Sequence, residues 1–158
     1  MSTVIRFLGI QFKNPIVLAS GILGVTAASM KRCIDLGAGG VTVKSLSLKP
    51  RMGHRNPTMG GYDHFFLNAV GLSNPGIEAG IKELKRFKAI CSAPLIGSVF
   101  AGSVEEFGAV TKRIVTAPID LLEIDISCPN VGEEFGTPFA YSIEAATAIT
   151  KVVKKYAK

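Results

Sequence analysis

The chain alternates four times between a short apolar segment and an amphipathic one, and this order constrains its fold more than any other feature. The apolar segments, rich in β-branched residues, cover 16–19, 41–44, 95–100 and 121–126. Each is followed by a stretch with apolar residues at helical spacing. Strands that alternate with helices predict an α/β fold, with a parallel sheet and helices on its outside. The preceding segment, 4–15, predicts a hairpin whose Phe7, Ile10 and Phe12 cover one end of the core.

Two architectures are compatible with such a sheet, a doubly wound sheet and part of an eight-fold barrel. A dinucleotide-binding sheet needs Gly-x-Gly-x-x-Gly after its first strand, whereas residues 20–24 read Ser-Gly-Ile-Leu-Gly. The glycine run at 37–40 precedes a strand, so it predicts a helix end and a tight turn. The irregular polar segments follow strands, as in barrel active sites. The sequence therefore favours the (β/α)8 TIM-barrel type, with 1–158 as a single domain covering about the first four β-α units.

Capping patterns predict where the helices begin and end. Thr26 precedes a helix that ends at Gly37, and Ser103 with Glu106 forms a capping-box pattern before a later helix. Asn74-Pro75 predicts a cap and a first-turn proline for the helix between these two. The last helix is predicted to carry on one side Ile143, Ala146, Ile149, Val153 and Tyr156.

Residues 45–74 show neither helical nor strand periodicity. They contain turn formers and polar residues, among them Pro50, Gly53, Asn56-Pro57 and Gly60-Gly61. A structureless loop of this length inside a compact domain usually has a function. We therefore expect this loop to contribute to a binding or active site.

Composition and charge exclude several functional classes. The 47% hydrophobic content is that of a globular protein, and no apolar run is long enough to span a bilayer. The net charge of +6 lies largely on helix lysines without interleaved aromatic residues, so neither nucleic acid nor membrane is an expected partner. Three widely spaced cysteines argue against disulfides and zinc, and the two histidines lack ligand spacing. We expect a cytoplasmic protein without a signal peptide and without a metal.

Polar side chains gather where the predicted strands end. Ser20-Gly21 follows the first strand, Lys44 ends the second, and Asn68 lies in the long loop. Pro129 stops the fourth strand and places Cys128 just past its carboxyl end. In barrels of strands and helices, chemistry takes place at this end. The structural alternatives are an inert buried thiol for Cys128 and a solvated lysine for Lys44.

Three motifs resemble those of class 1 dihydroorotate dehydrogenases in wording, order and spacing. They are Val-Lys-Ser-Leu-Ser-Leu-Lys-Pro-Arg at 43–51, Asn-Ala-Val-Gly-Leu-Ser-Asn-Pro-Gly at 68–76 and Ile-Ser-Cys-Pro-Asn-Val at 126–131. The resemblance extends along essentially the whole chain, and three long motifs in order are specific. It implies a barrel oxidoreductase that carries flavin mononucleotide (FMN) and oxidises dihydroorotate to orotate in de novo pyrimidine biosynthesis.

The resemblance also implies a role for individual positions. Cys128 is the base that takes the C5 proton while FMN takes the C6 hydride, and Lys44 stabilises electron density that builds on the reduced ring. The residues implied to bind the cofactor are Ala19, Ser20, Gly21, Lys44, Ser45 and Asp125. Those implied to bind the substrate are Lys44, Asn68, Val70, Gly71, Leu72, Asp125 and Asn130.

Asp125 departs from the family, which usually has Asn at this position. An ionised carboxylate only accepts hydrogen bonds and repels an anionic orotate, whereas an amide both donates and accepts. We hypothesise that Asp125 pairs with Lys44 or binds the flavin, and that substrate preference is altered. This residue keeps open the alternative of a dihydropyrimidine dehydrogenase-like flavin domain, which shares the Ser-Cys-Pro element.

The second departure from the resemblance is length, since the family's chains are about twice as long. Half a barrel leaves parallel strand edges unpaired, so we expect a second half-barrel, a homo-oligomeric partner or a longer gene product. The residues Asn-Ala-Val-Gly-Leu at 68–72 and Ser-Cys-Pro-Asn-Val at 127–131 favour the subtype that passes electrons to a separate iron-sulfur flavoprotein and then to NAD. A non-catalytic half-barrel module that needs a partner chain and binds no flavin is the alternative from a different class.

Overall fold

The computed structural model describes residues 3–21, 23–128 and 137–157, with a four-stranded parallel sheet at its centre. The strands are β1 (Ile5–Phe7), β2 (Ile10–Phe12), β3 (Val17–Leu18), β4 (Gly40–Thr42), β5 (Met59–Gly61), β6 (Phe66–Asn68), β7 (Leu95–Val99) and β8 (Leu121–Ile124). The helices are α1 (Ala27–Asp35), α2 (Ile77–Ile90), α3 (Val104–Ile114) and α4 (Ile143–Val153), with a 3-10 turn at Phe139–Tyr141. The central strands lie in the order β3-β4-β7-β8, which confirms the predicted parallel sheet.

The two faces of the sheet have different neighbours. Across neighbouring strands, the register pairs Leu18 with Val41, Thr42 with Ile96 and Ser98 with Glu123. Val41, Leu95 and Val99 are fully buried in one cluster with side chains of all four helices, including Met30, Leu84, Phe87, Phe107, Ile114, Ile149 and Val153. Because side chains alternate along a strand, Thr42 and Ser98 lie on the opposite face. That face is therefore polar where it is most buried.

The predicted N-terminal hairpin is present as β1 and β2. Phe12 is 2% exposed, and a Cβ added at Gly40 would lie 2.6 Å from its ring, so this side chain packs on β4. Phe7 is 56% exposed, so the prediction that it covers the core is wrong. The reason is that β1 is the outer strand, exposed at all of its residues, and the contact with the sheet is made from β2.

The caps of α1 and α3 follow the sequence. The Thr26 hydroxyl accepts an N–H of the first turn of α1 at 3.2 Å, and Gly37 follows the helix with a φ of 114°. The Ser103 hydroxyl accepts the Glu106 N–H at 3.2 Å. The Glu106 carboxylate, however, accepts from the Gly102 N–H at 2.8 Å instead of returning to Ser103, so the predicted capping box is only half formed.

The predicted cap of α2 is wrong. The N-cap residue is Gly76, and the helix begins at Ile77. Gly76 has a φ of 79°, a left-handed conformation that turns the chain before the helix starts. Asn74 accepts the Gly76 N–H at 2.9 Å and belongs to this turn, not to the helix.

The prediction that residues 45–74 lack strands is also wrong. β5 and β6 pair antiparallel, with Met59 opposite Asn68 and Gly61 opposite Phe66. Most of these residues are exposed on both faces, so the segment has no alternation of apolar and polar positions. Glycines in β5 further hide the strand, because glycine is unfavourable there.

The last helix reaches the core through its second half. Ile149 and Val153 are buried, whereas Ile143 is 81% exposed and Tyr156 lies past the helix end. The apolar side predicted for this helix therefore packs on the core only from its middle onward. Within the described ranges, no helix has both the length and the apolar character needed to cross a membrane.

Glu83 ties α2 to the start of α1. Its carboxylate accepts the Ala27 N–H at 2.8 Å and contacts Arg86 at 2.6 Å, and these bonds, the Ala27 one foremost, hold the pKa of Glu83 below its ordinary 4.5. A lowered carboxyl pKa contributes stability that is present above the ordinary value and lost as pH falls through the folded-state pKa.

We expect Glu83→Gln to lower the free energy of unfolding by about 1 kcal/mol at pH 7 and to change it little at pH 3. Urea unfolding at both pH values measures this difference. Glu78→Gln, on the same helix, removes only an exposed ion pair with Arg113, so it is the control and should have a smaller effect. An equal loss at both pH values would contradict the assignment to the ionised carboxylate.

Candidate functional site

A cleft of about 800 Å³ opens at the carboxyl ends of the parallel strands. Its volume lies in the range of roughly 300–1,000 Å³ that is typical of small-molecule sites. Its lining comprises Leu18, Ala19, Ser20, Gly21, Leu23, Val25, Lys44, Ser45, Met59, Asn68, Val70, Gly71, Leu72, Ser73, Glu123, Asp125 and Cys128. The sequence-predicted site residues thus meet in one cleft, except Asn130, which lies outside the described residues.

Different strands deliver these side chains to one place. Ser20 follows β3, Lys44 and Ser45 follow β4, Asn68 ends β6, and Cys128 follows β8. In a parallel sheet all carboxyl ends lie at the same edge, which explains why motifs far apart in sequence converge. The hairpin β5–β6 adds Met59 and Asn68 as one side of the cleft.

Asn74 holds the wall formed by residues 70–73. It is 6% exposed, and its Oδ1 accepts the N–H groups of Ser47 at 3.2 Å and Gly76 at 2.9 Å. Its amide nitrogen donates to the Leu72 carbonyl and the Ser47 hydroxyl, both at 2.9 Å. Leu72 has a φ of 54°, an unfavourable conformation for a side chain of its kind, and Asn74 offsets that cost.

A second support of this wall comes from the strand-like segment around Arg51. The backbones of Arg51 and Asn74 exchange hydrogen bonds of 2.9 and 3.0 Å. The Arg51 guanidinium lies 5.7 Å from the centre of the Phe100 ring, a cation–π contact. Gly71 (φ 71°) packs so closely on His54 that a Cβ would lie 2.7 Å from it. The wall is therefore held by tight backbone contacts.

A chain of hydroxyl groups runs beneath the cleft across the four strands. Ser20 Oγ lies 3.0 Å from Ser45 Oγ, which lies 3.0 Å from Ser98 Oγ. Ser98 Oγ donates to Glu123 Oε1 at 2.6 Å. Asp125 Oδ2 lies 3.5 Å from Ser45 Oγ, a long contact. Ser45 is 3% exposed and Ser98 is fully buried, so their hydroxyl bonds are shielded from water.

Lys44 and Asn68 present uncommitted polar groups to the cleft. Within the described part of the chain, neither side chain forms a hydrogen bond or an ion pair. Among the described residues that line the cleft, Lys44 is also the sole cation, beside the carboxylates of Glu123 and Asp125. The hypothesis that Asp125 pairs with Lys44 is therefore wrong for this structure. Asp125 instead contacts Ser45 and the Ser127 N–H.

Cys128 is half-buried at the cleft and carries a free thiol. Cys33, on α1, and Cys91, at the end of α2, are also free but pack against the core away from the cleft. Of the three thiols, Cys128 is therefore the one that a ligand in the cleft can reach. No group of three or more His, Cys, Asp or Glu side chains that could hold a metal ion occurs among residues 3–21, 23–128 and 137–157.

Glu123 and Ser98 were missed as site residues at the sequence level. The signal for Glu123 was its position two residues before Asp125, since residues i and i+2 of a strand share a face. Ser98 could be linked to it only through the register of β7 and β8, which the sequence does not reveal. The apolar wall residues Leu23, Val25 and Met59 carry no local signal of this kind.

The comparison with known proteins assigns a family. The family model of dihydroorotate dehydrogenase matches residues 3–158. The catalytic subunit of dihydroorotate dehydrogenase B (NAD(+)) from Methanocaldococcus jannaschii is 39% identical over 153 residues, 95% of this chain and 49% of that protein. The corresponding subunit from Methanosarcina acetivorans is 40% identical over 149 residues, 92% of this chain and 48% of that protein. The chain thus spans about half the length of these relatives.

A solved structure shows the fold. Ligand-free dihydroorotate dehydrogenase from Eimeria tenella superposes with a TM-score of 0.86 at 19% identity, over 98% of this chain and 45% of that one. The parallel sheet and its helices are therefore about half of a TIM barrel, as the sequence predicts. With the family match along almost its whole length, the chain belongs to the dihydroorotate dehydrogenase family.

Proposed function

We propose that this chain forms the amino-terminal half of a catalytic subunit that oxidises dihydroorotate to orotate in pyrimidine biosynthesis. One observation carries the proposal. Side chains from three family motifs converge on one cleft, where Lys44, Asn68 and Cys128 face a space large enough for a small-molecule ligand. The names of the relatives, catalytic subunits of dihydroorotate dehydrogenase B (NAD(+)), support this activity.

Membership of this family implies a flavin cofactor, and the cleft has features that suit one. Leu23, Val25 and Met59 give it apolar surface for a ring system, and hydroxyls of Ser20 and Ser45 give it polar edges. An added Cβ at Gly21 would meet nothing within 4 Å, so the backbone there lies open to the cleft. We propose FMN as the flavin, held by Ala19, Ser20, Gly21, Lys44, Ser45 and Asp125.

Cys128 is the proposed base of the reaction. As a thiolate it takes the proton from C5 of dihydroorotate and becomes a thiol, and the C5–C6 double bond forms as a hydride leaves C6. Bound FMN supplies the hydride acceptor for this oxidation. Cys128 follows β8 and lines the cleft, where a base can reach a bound substrate.

Lys44 and Asn68 are the proposed polar contacts of the substrate. The Lys44 ammonium attracts the orotate carboxylate and stabilises negative charge that develops during the reaction. The Asn68 amide donates to and accepts from the pyrimidine edge, together with the backbone of Val70, Gly71 and Leu72. Asp125 and Asn130, of which Asn130 lies outside the described residues, are also predicted to contact the pyrimidine edge.

The proposed assembly requires more protein than this chain. The family's barrel implies a second half, supplied by a partner chain or another copy, and the relatives' description as a catalytic subunit implies a partner subunit. We propose an iron-sulfur flavoprotein as that subunit, a cytoplasmic location, and no nucleic acid or membrane partner. The family match favours this account over the dihydropyrimidine dehydrogenase-like alternative.

Orotate binding tests the substrate contacts. The chain is combined with the remaining half of the Methanocaldococcus jannaschii relative and loaded with FMN, and orotate is titrated while the flavin spectrum is recorded. We expect Asn68→Ala to raise the orotate Kd roughly tenfold, the effect of about 1.4 kcal/mol of lost hydrogen bonding, with flavin affinity unchanged. Lys44→Gln is expected to raise the Kd values of both ligands.

Matched surface variants control this experiment. Asn56→Ala changes an exposed amide of the same long segment, and Lys85→Gln removes an exposed lysine of α2. Neither lines the cleft, so neither should alter orotate binding. A wild-type protein that binds no flavin in any combination would support the non-catalytic half-barrel instead.

A further inference from the structure

The hydroxyl chain beneath the cleft ends on a group that can only accept hydrogen bonds. An ionised carboxylate has no proton to donate, and each serine hydroxyl has one. The 2.6 Å bond between Ser98 Oγ and Glu123 Oε1 therefore uses the Ser98 proton. Its shortness is typical of a charge-assisted O–H···O⁻ bond, which is stronger than a neutral one. The direction of this first bond is thus set by Glu123.

That direction propagates along the chain. Because the Ser98 hydroxyl donates its hydrogen bond to Glu123, its oxygen can only accept a hydrogen bond from Ser45, 3.0 Å away. Ser45 Oγ in turn can only accept from the Ser20 hydroxyl, also at 3.0 Å. The backbone N–H of Ser45 donates to Ser20 Oγ at 3.0 Å, which agrees with Ser20 having its own proton elsewhere. Every hydroxyl proton then points toward Glu123.

We infer that Glu123 is a positioning residue. It makes the floor of the cleft, formed by Ser20 and Ser45, a surface of hydrogen-bond acceptors. With their protons committed along the chain, Ser20 and Ser45 turn lone pairs to the cleft. Asp125 Oδ2 is a second acceptor for the Ser45 hydroxyl at 3.5 Å, but the 3.0 Å bond to Ser98 is shorter and takes the proton, so Asp125 also remains an acceptor for a ligand. The floor therefore selects the N–H edge of a ligand over its carbonyl edge. This consequence for ligand orientation rests on the proposed flavin function.

Burial makes this ordering effective. Ser98 is fully buried and does not line the cleft, so it acts only through Ser45. Ser45 is 3% exposed, which leaves its proton few partners other than Ser98 and Asp125. Glu123 faces the cleft at the far end, opposite Ser98 in the register of β7 and β8. Hydrogen bonds of a chain polarise one another, so the effect of the carboxylate reaches Ser45.

Proton NMR of the ligand-free chain tests the direction itself. In the wild type we expect a downfield hydroxyl signal from Ser98 and a nuclear Overhauser contact from the Ser45 hydroxyl proton to the β-protons of Ser98. Glu123→Lys replaces an acceptor by a donor, so the Ser98 signal should be lost and the Ser45 proton should turn to Asp125. A Ser45 proton that already points to Asp125 in the wild type would overturn the inference.

Riboflavin binding tests the consequence for the ligand. Riboflavin is neutral and lacks the phosphate of FMN, so an introduced lysine cannot change its affinity by attracting a phosphate. Measured by fluorescence quenching, its Kd should rise roughly tenfold in Ser98→Ala and in Glu123→Lys, and stay unchanged in Ser92→Ala, an exposed serine. Equal affinity in all variants overturns the acceptor role. If the wild type combined with the remaining half of the Methanocaldococcus jannaschii relative binds no riboflavin, the proposed flavin function fails, while the NMR result still decides the direction of the hydroxyl chain.

Discussion

Cys128→Ala is expected to slow the reduction of bound flavin by dihydroorotate by roughly 10²–10⁴-fold, the usual contribution of a positioned general base. The thiol follows β8 and lies at the cleft, whose lining also includes Lys44 and Asn68. Flavin binding should be unchanged, because Cys128 is not among the proposed flavin contacts. Stopped-flow absorbance in the absence of oxygen measures the reduction step apart from the later electron transfer.

The other cysteines provide matched controls for this experiment. Cys33→Ala and Cys91→Ala remove thiols that pack against the core away from the cleft, so flavin reduction should keep its wild-type rate. Cys128→Ser tests the chemistry of the base, since a hydroxyl is a poorer proton acceptor near neutral pH and should give an intermediate rate. A Cys128→Ala variant that reduces flavin at the wild-type rate would remove Cys128 from the mechanism.

Asn74→Ala is expected to lower the free energy of unfolding by about 3 kcal/mol. The change removes four hydrogen bonds of 2.9 to 3.2 Å at a side chain that is 6% exposed. It leaves buried groups of Ser47 and Leu72 without their partner. Urea unfolding followed by circular dichroism measures the loss.

Two further variants separate the role of Asn74 from that of an amide near the cleft. Asn74→Asp keeps the acceptor oxygen but places a carboxylate against the Leu72 carbonyl, so it should be at least as destabilising as alanine. Asn68→Ala, at an exposed position, should change the free energy of unfolding by less than about 0.5 kcal/mol. A stable Asn74→Ala protein would show that the wall at 70–73 does not depend on this residue.

The parts of the fold that depend on local patterns could be predicted from the sequence. Thr26 caps α1 and Gly37 follows its end because both signals lie within one turn of the helix terminus. The parallel sheet follows from the alternation of strand and helix patterns, and Cys128 lies at the cleft because it follows β8. The strand itself ends at Ile124, earlier than the proline signal in the sequence predicts. These inferences need no knowledge of contacts between distant residues.

The missed features depend on contacts that join distant parts of the chain. Asn74 reads as a helix cap, but its partner Ser47 lies 27 residues away, and this pairing moves the helix start to Ile77. The hairpin β5–β6 has exposed faces and so lacks alternation. The bond from Ser98 to Glu123 exists only because β7 and β8 pair in one particular register. Register between strands is set by packing and not by local sequence.

We propose that this cleft is one side of a flavin site that oxidises dihydroorotate. The most direct test adds dihydroorotate, without oxygen, to the chain combined with the remaining half of the Methanocaldococcus jannaschii relative and loaded with FMN. We expect the flavin absorbance to bleach, faster than with dihydrouracil, and the bleaching to depend on Cys128. Bound flavin that stays oxidised with dihydroorotate, or that bleaches equally in Cys128→Ala, would contradict the account.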